Sequence, residues 1–525
     1  MATLWQRLDF VSDEVIRQKI RNQRIIGEFD RVSELWQRIE DFHLWVIVRQ
    51  QLELVGHDEW LRGHDEWLRG HLLELVGLGV AGAATKCKTP SALASCRNLF
   101  AFCGIPPELS HLRKLQSMNL SYNFLRGHIP VNLCRCSNLI NLALDHNYLE
   151  GEIPSELGSL HKVVNLYLGN NNLTGGFPSS LGNLSSLQQL DLTYNSLEGD
   201  IPVAVAQMRS LMVFEVTVNK FSGSFPASRY NLSSLIGICM ALNNFSGSLR
   251  TDIGLAFPNL QALLLGGNRF HGQIRSSLSN ASSLAGLDLC ENNFIGTIPS
   301  SFGNLQSLQL LNIYNNTLGT RGVDDLSFLT SSANCSELQH LDFANDQFGG
   351  KLTSSIANLS TQLIWFRMDG NYIHGSIPPE IANLINLETV SMSPNFLTGT
   401  IPASFGKLPK LQVLYLDVNL LTGEIPPSFG NVSLLLYLIL LNNTLEGSIP
   451  SSLENCKYLQ YLDLSYNKLN GTIPTQLMGL SSLSMGVLSY NSLIGCLPAE
   501  VGNLRFLTEL DVSYNKLSGL WRDSK

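Results

Sequence analysis

The chain has few of the features that mark membrane, nucleic-acid-binding or disordered proteins. Among its 525 residues no stretch of about 18 apolar residues occurs, so no segment is apolar enough for a transmembrane helix. The net charge is −8 and there is no long basic run, which argues against electrostatic binding to nucleic acid or an anionic membrane. Apolar residues make up 44% of the chain and charged residues only 15%, which excludes general disorder.

Catalytic and nucleotide-binding motifs are also missing. The sequence has no Walker A motif, and it has neither of the kinase triplets that form the catalytic loop and hold the metal. Residues 77–82 match G-x-G-x-x-G, but a dinucleotide site needs a helix that begins there within a βαβ unit. Thr85 to Pro90 break any such helix. We therefore expect no enzyme activity, no cofactor and no nucleotide ligand.

The ten cysteines and eleven histidines show no metal-site spacing. Cys134 and Cys136 are too close together for a normal zinc pair. Cys136, Cys335 and Cys456 each occupy a place where neighbouring segments have leucine, which predicts buried hydrophobic side chains. No metal site is therefore predicted.

The clearest break in composition lies near residue 85. Residues 1–85 contain 24 charged residues and five of the seven tryptophans, whereas the other 440 residues contain 54 charged residues. Apolar residues at helical spacing predict an α-helical extension of unassigned role over 1–71, followed by a degenerate apolar junction over 72–104. Residues 71–83 are mostly apolar and end in small residues, which fits either a displaced signal peptide or a buried helix or loop.

From residue 105 to residue 521 the chain repeats a pattern of about 24 residues. Residues 187–202 and 459–474 both read L-x-x-L-x-L-x-x-N-x-L-x-G-x-I-P. The asparagine slot occurs 17 times at intervals of 24 residues, with two intervals of 25 and one of 30, and Asp346 fills it once. The other slots hold Asn123, Asn147, Asn171, Asn195, Asn219, Asn243, Asn268, Asn292, Asn316, Asn371, Asn395, Asn419, Asn443, Asn467, Asn491 and Asn515.

Each position in the repeat has a physical role. The L-x-L stretch predicts a short strand with alternate side chains pointing inward, and stacked repeats would pair these strands into one parallel sheet. The slot asparagine can bond buried backbone groups of adjacent repeats, where an unmade bond would cost roughly 1–3 kcal/mol. Glycine permits the bend that follows, and proline keeps the outer segment from becoming a long helix. The predicted fold over 105–521 is an α/β right-handed solenoid with a parallel sheet on its concave face, before a short tail at 522–525.

The pattern resembles the plant leucine-rich-repeat family, for which the G-x-I-P segment is a specific mark. Gly-Asn-Leu-x-x-Leu at residues 182–187 completes the match, and the resemblance covers residues 105–519. Residues 318–336, within the 30-residue interval, resemble the irregular repeat of immune-type receptor kinases and receptor-like proteins. The resemblance implies extracellular or plasma-membrane-associated perception of a peptide or protein ligand, with a co-receptor kinase as a candidate second partner.

Both ends of the chain depart from that family. The family's N-terminal cap carries a cysteine pair around a tryptophan, whereas no tryptophan lies between Cys96 and Cys103. The first residues are charged and amphipathic, unlike a secretory signal. After Gly519 the sequence has Trp521 and Arg522 where the pattern calls for isoleucine and proline. We therefore expect a truncated or mis-spliced gene product, or a soluble remnant of a receptor.

A ligand would lie on the exposed strand positions of the concave face. Seventeen strands about 4.8 Å apart would give a sheet on the order of 80 Å long. Most exposed positions carry the family's usual residues and are expected only to be solvated, so the unusual ones are the candidate contacts, since large aromatics and arginine anchor many interfaces. The candidate ligand-binding residues are Tyr167, Glu215, Arg367, Asp369, Tyr415 and Asp417.

Twelve N-x-S/T sequences fit a secreted glycoprotein, although the Gly-Asn-Leu-Ser pattern of the repeat creates some of them by itself. Two alternative functions remain: a soluble decoy or inhibitor of a cell-wall enzyme, and a non-functional receptor fragment. The candidate glycosylation sites are Asn119, Asn172, Asn183, Asn231, Asn244, Asn280, Asn315, Asn334, Asn358, Asn431, Asn442 and Asn470.

Overall fold

The structure, a computed structural model, describes residues 104–224 and 232–518. Within these residues the chain forms seventeen stacked repeats, which we number 1 to 17 by their asparagine slots from Asn123 to Asn515. Several features of the sequence analysis lie outside the described residues: the helical extension at 1–71, all but the last residue of the junction at 72–104, Cys96, Cys103, Asn231 and the tail at 522–525.

Each repeat contributes one three-residue strand to a parallel sheet of seventeen strands. Each strand pairs with the strand of the next repeat, residue for residue and without a shift in register. The predicted solenoid with one long parallel sheet is therefore confirmed. Its strands are Ser117–Asn119, Asn141–Ala143, Asn165–Tyr167, Gln189–Asp191, Val213–Glu215, Gly237–Cys239, Ala262–Leu264, Gly286–Asp288, Leu310–Asn312, His340–Asp342, Trp365–Arg367, Thr389–Ser391, Val413–Tyr415, Tyr437–Ile439, Tyr461–Asp463, Met485–Val487 and Glu509–Asp511.

The core lies behind the sheet and runs through the described repeats as one cluster. The middle residue of each strand and the residue two places later point inward, so Leu190 and Leu192 are almost completely buried. No single repeat could bury this apolar surface alone, because each supplies only one side of the contact. In repeats 5 to 8 the core also contains a row of stacked phenylalanine rings with centroids 6.2–6.4 Å apart, formed by Phe221, Phe245, Phe270 and Phe294.

The slot asparagines tie neighbouring repeats together through their amides. The Asn371 Nδ2 donates to the carbonyls of Phe343, Met368 and Asp369 at 2.9–3.2 Å. Its Oδ1 accepts the backbone N–H of Phe348 at 3.0 Å. One buried side chain therefore hydrogen-bonds four backbone groups of two neighbouring repeats.

The residue just before each slot turns the backbone into the left-handed region in most repeats. Its φ is near +50° even where the side chain is β-branched, as at Val218 and Val418. Asparagine, tyrosine and glycine fill the position more often, and asparagine and glycine are the residues that tolerate this conformation best. In repeat 12 the position is Pro394, and the Ser393–Pro394 peptide is cis.

Short 3-10 helices, most of them preceded by proline, form the convex side. Glycine is required where two of them approach closely, since a Cβ on Gly182 would lie 2.5 Å from the Ala204 carbonyl oxygen. Two short α-helices, Ile253–Ala256 and Ser327–Ser332, replace them in repeats 6 and 9. The 3-10 helices are Pro107–His111, Val131–Arg135, Ser155–Ser159, Ser179–Asn183, Val203–Gln207, Ser276–Asn280, Ser300–Asn304, Ser354–Asn358, Pro379–Asn383, Ala403–Lys407, Pro427–Asn431, Ser451–Asn455, Thr475–Gly479 and Ala499–Asn503.

A second set of short strands follows the asparagine slots along one flank of the solenoid. Neighbouring flank strands pair in parallel in groups of two to four. They are Arg126–Gly127, Tyr148–Glu152, Asn172–Thr174, Glu198–Asp200, Lys220–Ser222, Ser246–Ser248, Arg269–Gln273, Asn293–Gly296, Thr317–Leu318, His374–Ser376, Phe396–Thr400, Leu420–Glu424, Thr444–Glu446, Ile494–Gly495 and Lys516–Leu517.

The long repeat interval is organised by the buried carboxylate of Asp325. It accepts hydrogen bonds from the N–H groups of Thr320, Gly322 and Gly349 at 2.9–3.0 Å and from the Thr320 hydroxyl at 2.8 Å. Burial opposes ionisation, but these four donors outweigh it and hold the pKa of Asp325 below its ordinary value. The extra residues of this interval therefore close into a loop around one charged group.

Asp346 fills the asparagine slot of repeat 10 and lacks an amide to donate. Its Oδ1 accepts the Leu318 N–H at 2.8 Å, while its Oδ2 is buried and has no hydrogen-bond partner among the described residues. Burial raises the pKa of Asp346 to about 8, against the lowering effect of backbone N–H groups. In the other repeats an asparagine amide donates hydrogen bonds to carbonyl groups at this place. An ionised Asp346 would instead turn its second carboxylate oxygen towards those carbonyl groups, which is unfavourable.

Candidate functional site

The concave face is formed by three outward positions in each repeat: the first and third strand residues and the residue two places after the strand. In repeat 4 these are Gln189, Asp191 and Thr193, which alternate with the inward Leu190 and Leu192. Because the strands pair in register, equivalent residues of successive repeats form straight columns. Neighbouring residues within a column are about 4.8 Å apart. All six candidate ligand-binding residues lie in these columns and are half-buried.

Tyr167 and Glu215 lie in the same column, in repeats 3 and 5, with Asp191 between them. The Tyr167 hydroxyl hydrogen-bonds the Gln189 side chain, and Asp191 accepts the N–H and hydroxyl of Thr193 at 2.8 and 2.7 Å. Sequence reasoning missed Asp191, because aspartate at this position is common in the repeat. The signal was available, since a shift of 24 residues places it beside Glu215.

Burial and like charge disfavour ionisation in this first group. Burial first, and then the Asp191 charge, raises the pKa of Glu215 to about 8. Burial also raises the pKa of Asp191, while its bonds to Thr193 act in the opposite direction. The pKa of Tyr167 rises to about 12 because of burial and the neighbouring acids, so it remains a neutral hydrogen-bonding group. A cation placed here would relieve the repulsion between the acids.

Arg367 and Asp369 share repeat 11, and Tyr415 and Asp417 share repeat 13 two strands away. Arg367 is held by two carboxylates, with 2.8 Å from its Nη1 to Asp342 and 3.4 Å from its Nη2 to Asp369. Asp342 is a second residue that sequence reasoning missed, because it lies 25 residues before Arg367. The guanidinium is therefore already paired within the sheet.

Ionisation is also perturbed in this second group. Burial raises the pKa of Asp342 to about 6, although Arg367 acts to lower it. Burial likewise raises the pKa of Asp417 to about 6, against a 2.6 Å hydrogen bond from the Ser393 hydroxyl. For Arg367, burial favours the neutral form, but the two carboxylates outweigh it and the pKa rises above its ordinary value. The group thus holds more carboxylates than its single arginine balances.

Repeats 6 to 9 separate these two groups, and within this interval the adjacent repeats 6 and 7 carry no charge on the concave face. Their outward positions are all small or apolar, so a bound chain could approach the strands closely there. They hold Gly237, Cys239, Ala241, Ala262, Leu264 and Gly266.

In the described residues no cluster of three or more histidine, cysteine or acidic side chains could hold a metal ion. Cys136, Cys335 and Cys456 are fully buried, and each donates its thiol to a backbone carbonyl of the preceding repeat at 3.3–3.4 Å. Over the same part of the chain, no helix has the length and apolar character that crossing a bilayer requires.

Eleven of the twelve candidate glycosylation asparagines lie in the described residues, and ten of these are exposed. Asn244 is half-buried and accepts a hydrogen bond from Arg269 at 2.9 Å. Asn119 lies on a concave strand in repeat 1, whereas Asn183, Asn280, Asn358 and Asn431 end convex 3-10 helices. Most sites thus leave the concave face of the central repeats open to a ligand.

Family models and solved structures both match this repeat architecture. Two models described as leucine-rich repeat match the chain, one over residues 161–221 and the other over 114–136, 138–160, 283–305, 386–408, 410–432 and 458–480. The Arabidopsis receptor kinase HAESA, solved in complex with the peptide hormone IDA and the co-receptor SERK1, is 32% identical with a TM-score of 0.69. That match covers 79% of this chain and 72% of the HAESA chain.

The chain belongs to the plant leucine-rich-repeat receptor ectodomains. The complex PEPR1–AtPEP1 is also similar, with 30% identity and a TM-score of 0.66 over 79% of this chain and 64% of that one. The LRR receptor-like serine/threonine-protein kinase EFR of Arabidopsis thaliana is 54% identical over 144 residues. Those residues make up 27% of this chain and only 14% of that kinase. The recognition of a receptor-type leucine-rich repeat from sequence is thereby confirmed.

Proposed function

We propose that this receptor-type ectodomain binds an extracellular peptide along its concave face. The observation that carries the proposal is the in-register placement of the unusual outward residues. Tyr167 and Glu215 flank Asp191 in one column, and Arg367 and Tyr415 flank Ser391 further along the same column. An extended peptide lying across the strands would meet both groups in succession.

The solved relatives support a peptide as the ligand class. HAESA is solved with the peptide hormone IDA, and PEPR1 with AtPEP1. Since HAESA is also solved with the co-receptor SERK1, we include a co-receptor kinase as a second partner in the proposal. The ectodomain would then contribute recognition, while signalling chemistry would belong to kinase domains.

A steric block tests where the ligand binds. Asn312 is the third strand residue of repeat 9, between the two groups, and Asn312→Trp would place an indole on the concave face. Asn293 is an exposed residue of a flank strand, so Asn293→Trp adds the same side chain away from that face. Peptides that the wild-type chain retains from plant extracellular wash fluid would be identified by mass spectrometry and synthesised. Calorimetry would then measure their affinities for the wild type and both variants.

The proposal expects one or more peptides that bind the wild-type chain and Asn293→Trp with equal affinity, but bind Asn312→Trp at least tenfold more weakly. Matching circular dichroism spectra and melting temperatures would show that both variants are folded. If every retained peptide bound the two variants equally, the concave-face proposal would be wrong.

A further inference from the structure

The net charge of the molecule is concentrated on the concave face. With histidine neutral and every acid counted as ionised, the one arginine and ten acids of the outward positions give a formal net charge of −9, while the whole chain has −8. All other residues together therefore carry +1. The ten acids are Asp145, Asp191, Glu215, Asp288, Asp342, Asp369, Asp417, Asp463, Glu509 and Asp511.

The single arginine does not offer its charge to an anionic ligand. Arg367 is bonded to both Asp342 and Asp369, which together outnumber it. The Asp369 Oδ1 is nevertheless buried and has no hydrogen-bond partner among the described residues. A buried carboxylate oxygen without a donor is costly, so Arg367 does not fully compensate the two carboxylates that surround it.

Seven of these acids form two groups, in repeats 2–5 and in repeats 8–13, with an uncharged interval between them, and the other three lie in repeats 15 and 17. Glu215 in repeat 5 is followed in its column by Cys239 and Leu264 and then by Asp288 in repeat 8. These three strand steps span about 14 Å, a length that about four residues of extended chain would cover. Small side chains over this interval leave room for apolar ligand residues against the sheet.

Building on the proposed function, we infer that the ligand is a cationic extended peptide. Its lysine or arginine residues lie at both ends of an uncharged, small or apolar segment of at least about four residues. The cationic ends face the acids of repeats 2–5 and of repeats 8–13, and the uncharged segment lies over repeats 6 and 7. Burial and the neighbouring Asp191 charge raise the pKa of Glu215 to about 8, so a cation placed beside it would favour its ionised form.

Three labelled peptides of matched length separate charge from spacing. Fluorescein-labelled KKGALAKK has the inferred arrangement, EEGALAEE reverses the charge, and KKKKGALA has the same composition with its lysines together. Fluorescence anisotropy at 50 mM salt should give the tightest binding for KKGALAKK, at least fivefold weaker binding for KKKKGALA and no saturable binding for EEGALAEE. Raising the salt to 300 mM should weaken the lysine peptides, because the contacts are electrostatic.

A matched pair of double variants locates the interaction. Asp191→Asn with Glu215→Gln removes two concave carboxylates while keeping their shape, and KKGALAKK should then bind at least tenfold more weakly. Glu198→Gln with Asp200→Asn makes the same changes on an exposed flank strand and should alter the affinity less than twofold. Melting temperatures within a few degrees of the wild type would show that both double variants are folded.

Several outcomes would overturn the inference. Equal or tighter binding of EEGALAEE would reject the charge, equal binding of KKKKGALA would reject the uncharged interval, and equal effects of the two double variants would reject the location. The proposed function fails separately. If the captured extracellular peptides were acidic or neutral and bound Asn312→Trp more weakly than the wild type, concave-face binding would stand. The inference of a cationic ligand would then be wrong.

Discussion

The two sides of each strand in this ectodomain have opposite characters. Inward residues repeat with little change, as with Leu166, Leu190 and Leu192, and they are buried by the repeats before and after them. Outward residues in the same strands vary from Tyr167 to Asp191 to Glu215 within three repeats. The inward side therefore determines the fold and the outward side is free to specify a ligand. Substitutions on the inward side should change stability, and those on the outward side should change binding.

The largest loss of stability is expected from the asparagine slots. Asn371→Ala removes a side chain that bonds four backbone groups, and it should lower the free energy of unfolding by about 2–4 kcal/mol. Guanidinium denaturation would measure the change. Asn383→Ala, at an exposed position of a convex 3-10 helix, is the control and should change stability by less than about 0.5 kcal/mol. Equal losses of stability in the two variants would contradict the structural role of the slot asparagines.

Asp346→Asn should restore the missing amide and stabilise the chain by about 1–3 kcal/mol at pH 8. The folded state keeps the Asp346 proton up to a pKa of about 8, whereas the ordinary value is 3.8. Between these values the folded chain binds more protons, so the wild type should lose stability as pH rises from about 4 to about 8. Melting curves should show the variant gaining most at pH 8 and little at pH 4. A pH-independent difference would contradict this assignment.

Arg367→Met tests whether an outward residue contributes both to stability and to ligand binding. Losing the cation between Asp342 and Asp369 should lower stability by about 1 kcal/mol, since the pair is only partly exposed. The same change makes the face more acidic, so a cationic peptide should bind about threefold more tightly. Denaturation and anisotropy would measure the two effects. Weaker binding of the cationic peptide would contradict the inferred role of the excess carboxylates.

Gly486→Ala should stabilise repeat 16 by about 1 kcal/mol. Gly486 replaces the usual inward leucine, and an added Cβ would meet Leu483 and Leu510 at 3.5 and 3.6 Å, which is ordinary contact. Gly406→Ala is the opposite control, because its Cβ would lie 2.4 Å from the Ser428 carbonyl oxygen. Thermal unfolding should show a rise for the first variant and a fall for the second. A fall for both would mean that no space exists at Gly486.

The smallest effect is expected at the left-handed position before the slot. Val418 has a φ of 46°, which a β-branched residue rarely adopts, and Val418→Asn should stabilise by about 0.5 kcal/mol. Val413→Asn, on an extended strand nearby, should not stabilise. Melting temperatures of the two variants would test whether backbone conformation, and not polarity, causes the gain.

The repeat itself could be predicted well from sequence, whereas the concave face could be predicted only in part. Leucine spacing and the asparagine slots identify the strands because every repeat must bury the same side. The Asp342 partner of Arg367 could not be predicted from the repeat of the arginine, because Asp342 contacts it from the neighbouring strand, after the irregular interval. The pKa of Glu215 depends first on its burial, which only the folded structure defines, and then on Asp191, which a shift of 24 residues already places beside it.

The asparagine slots show a second limit of prediction from sequence. Asp346 aligns with the other slots in sequence, yet its carboxylate has an unpartnered oxygen where asparagine donates three bonds. Asp325 in the same irregular interval looks like an ordinary loop acid, but it accepts four hydrogen bonds. The two acids have opposite pKa shifts because the four hydrogen bonds to Asp325 outweigh its burial, whereas burial outweighs the backbone N–H groups at Asp346. Pattern alone does not distinguish them.

Photo-cross-linking tests the central claim most directly. A benzophenone in place of the leucine of KKGALAKK would be activated on the wild-type chain, and the labelled residues would be identified by mass spectrometry. The account predicts labels on the concave strands of repeats 6 and 7, around Gly237–Cys239 and Ala262–Leu264. Labels on the convex 3-10 helices or the flank strands would contradict it.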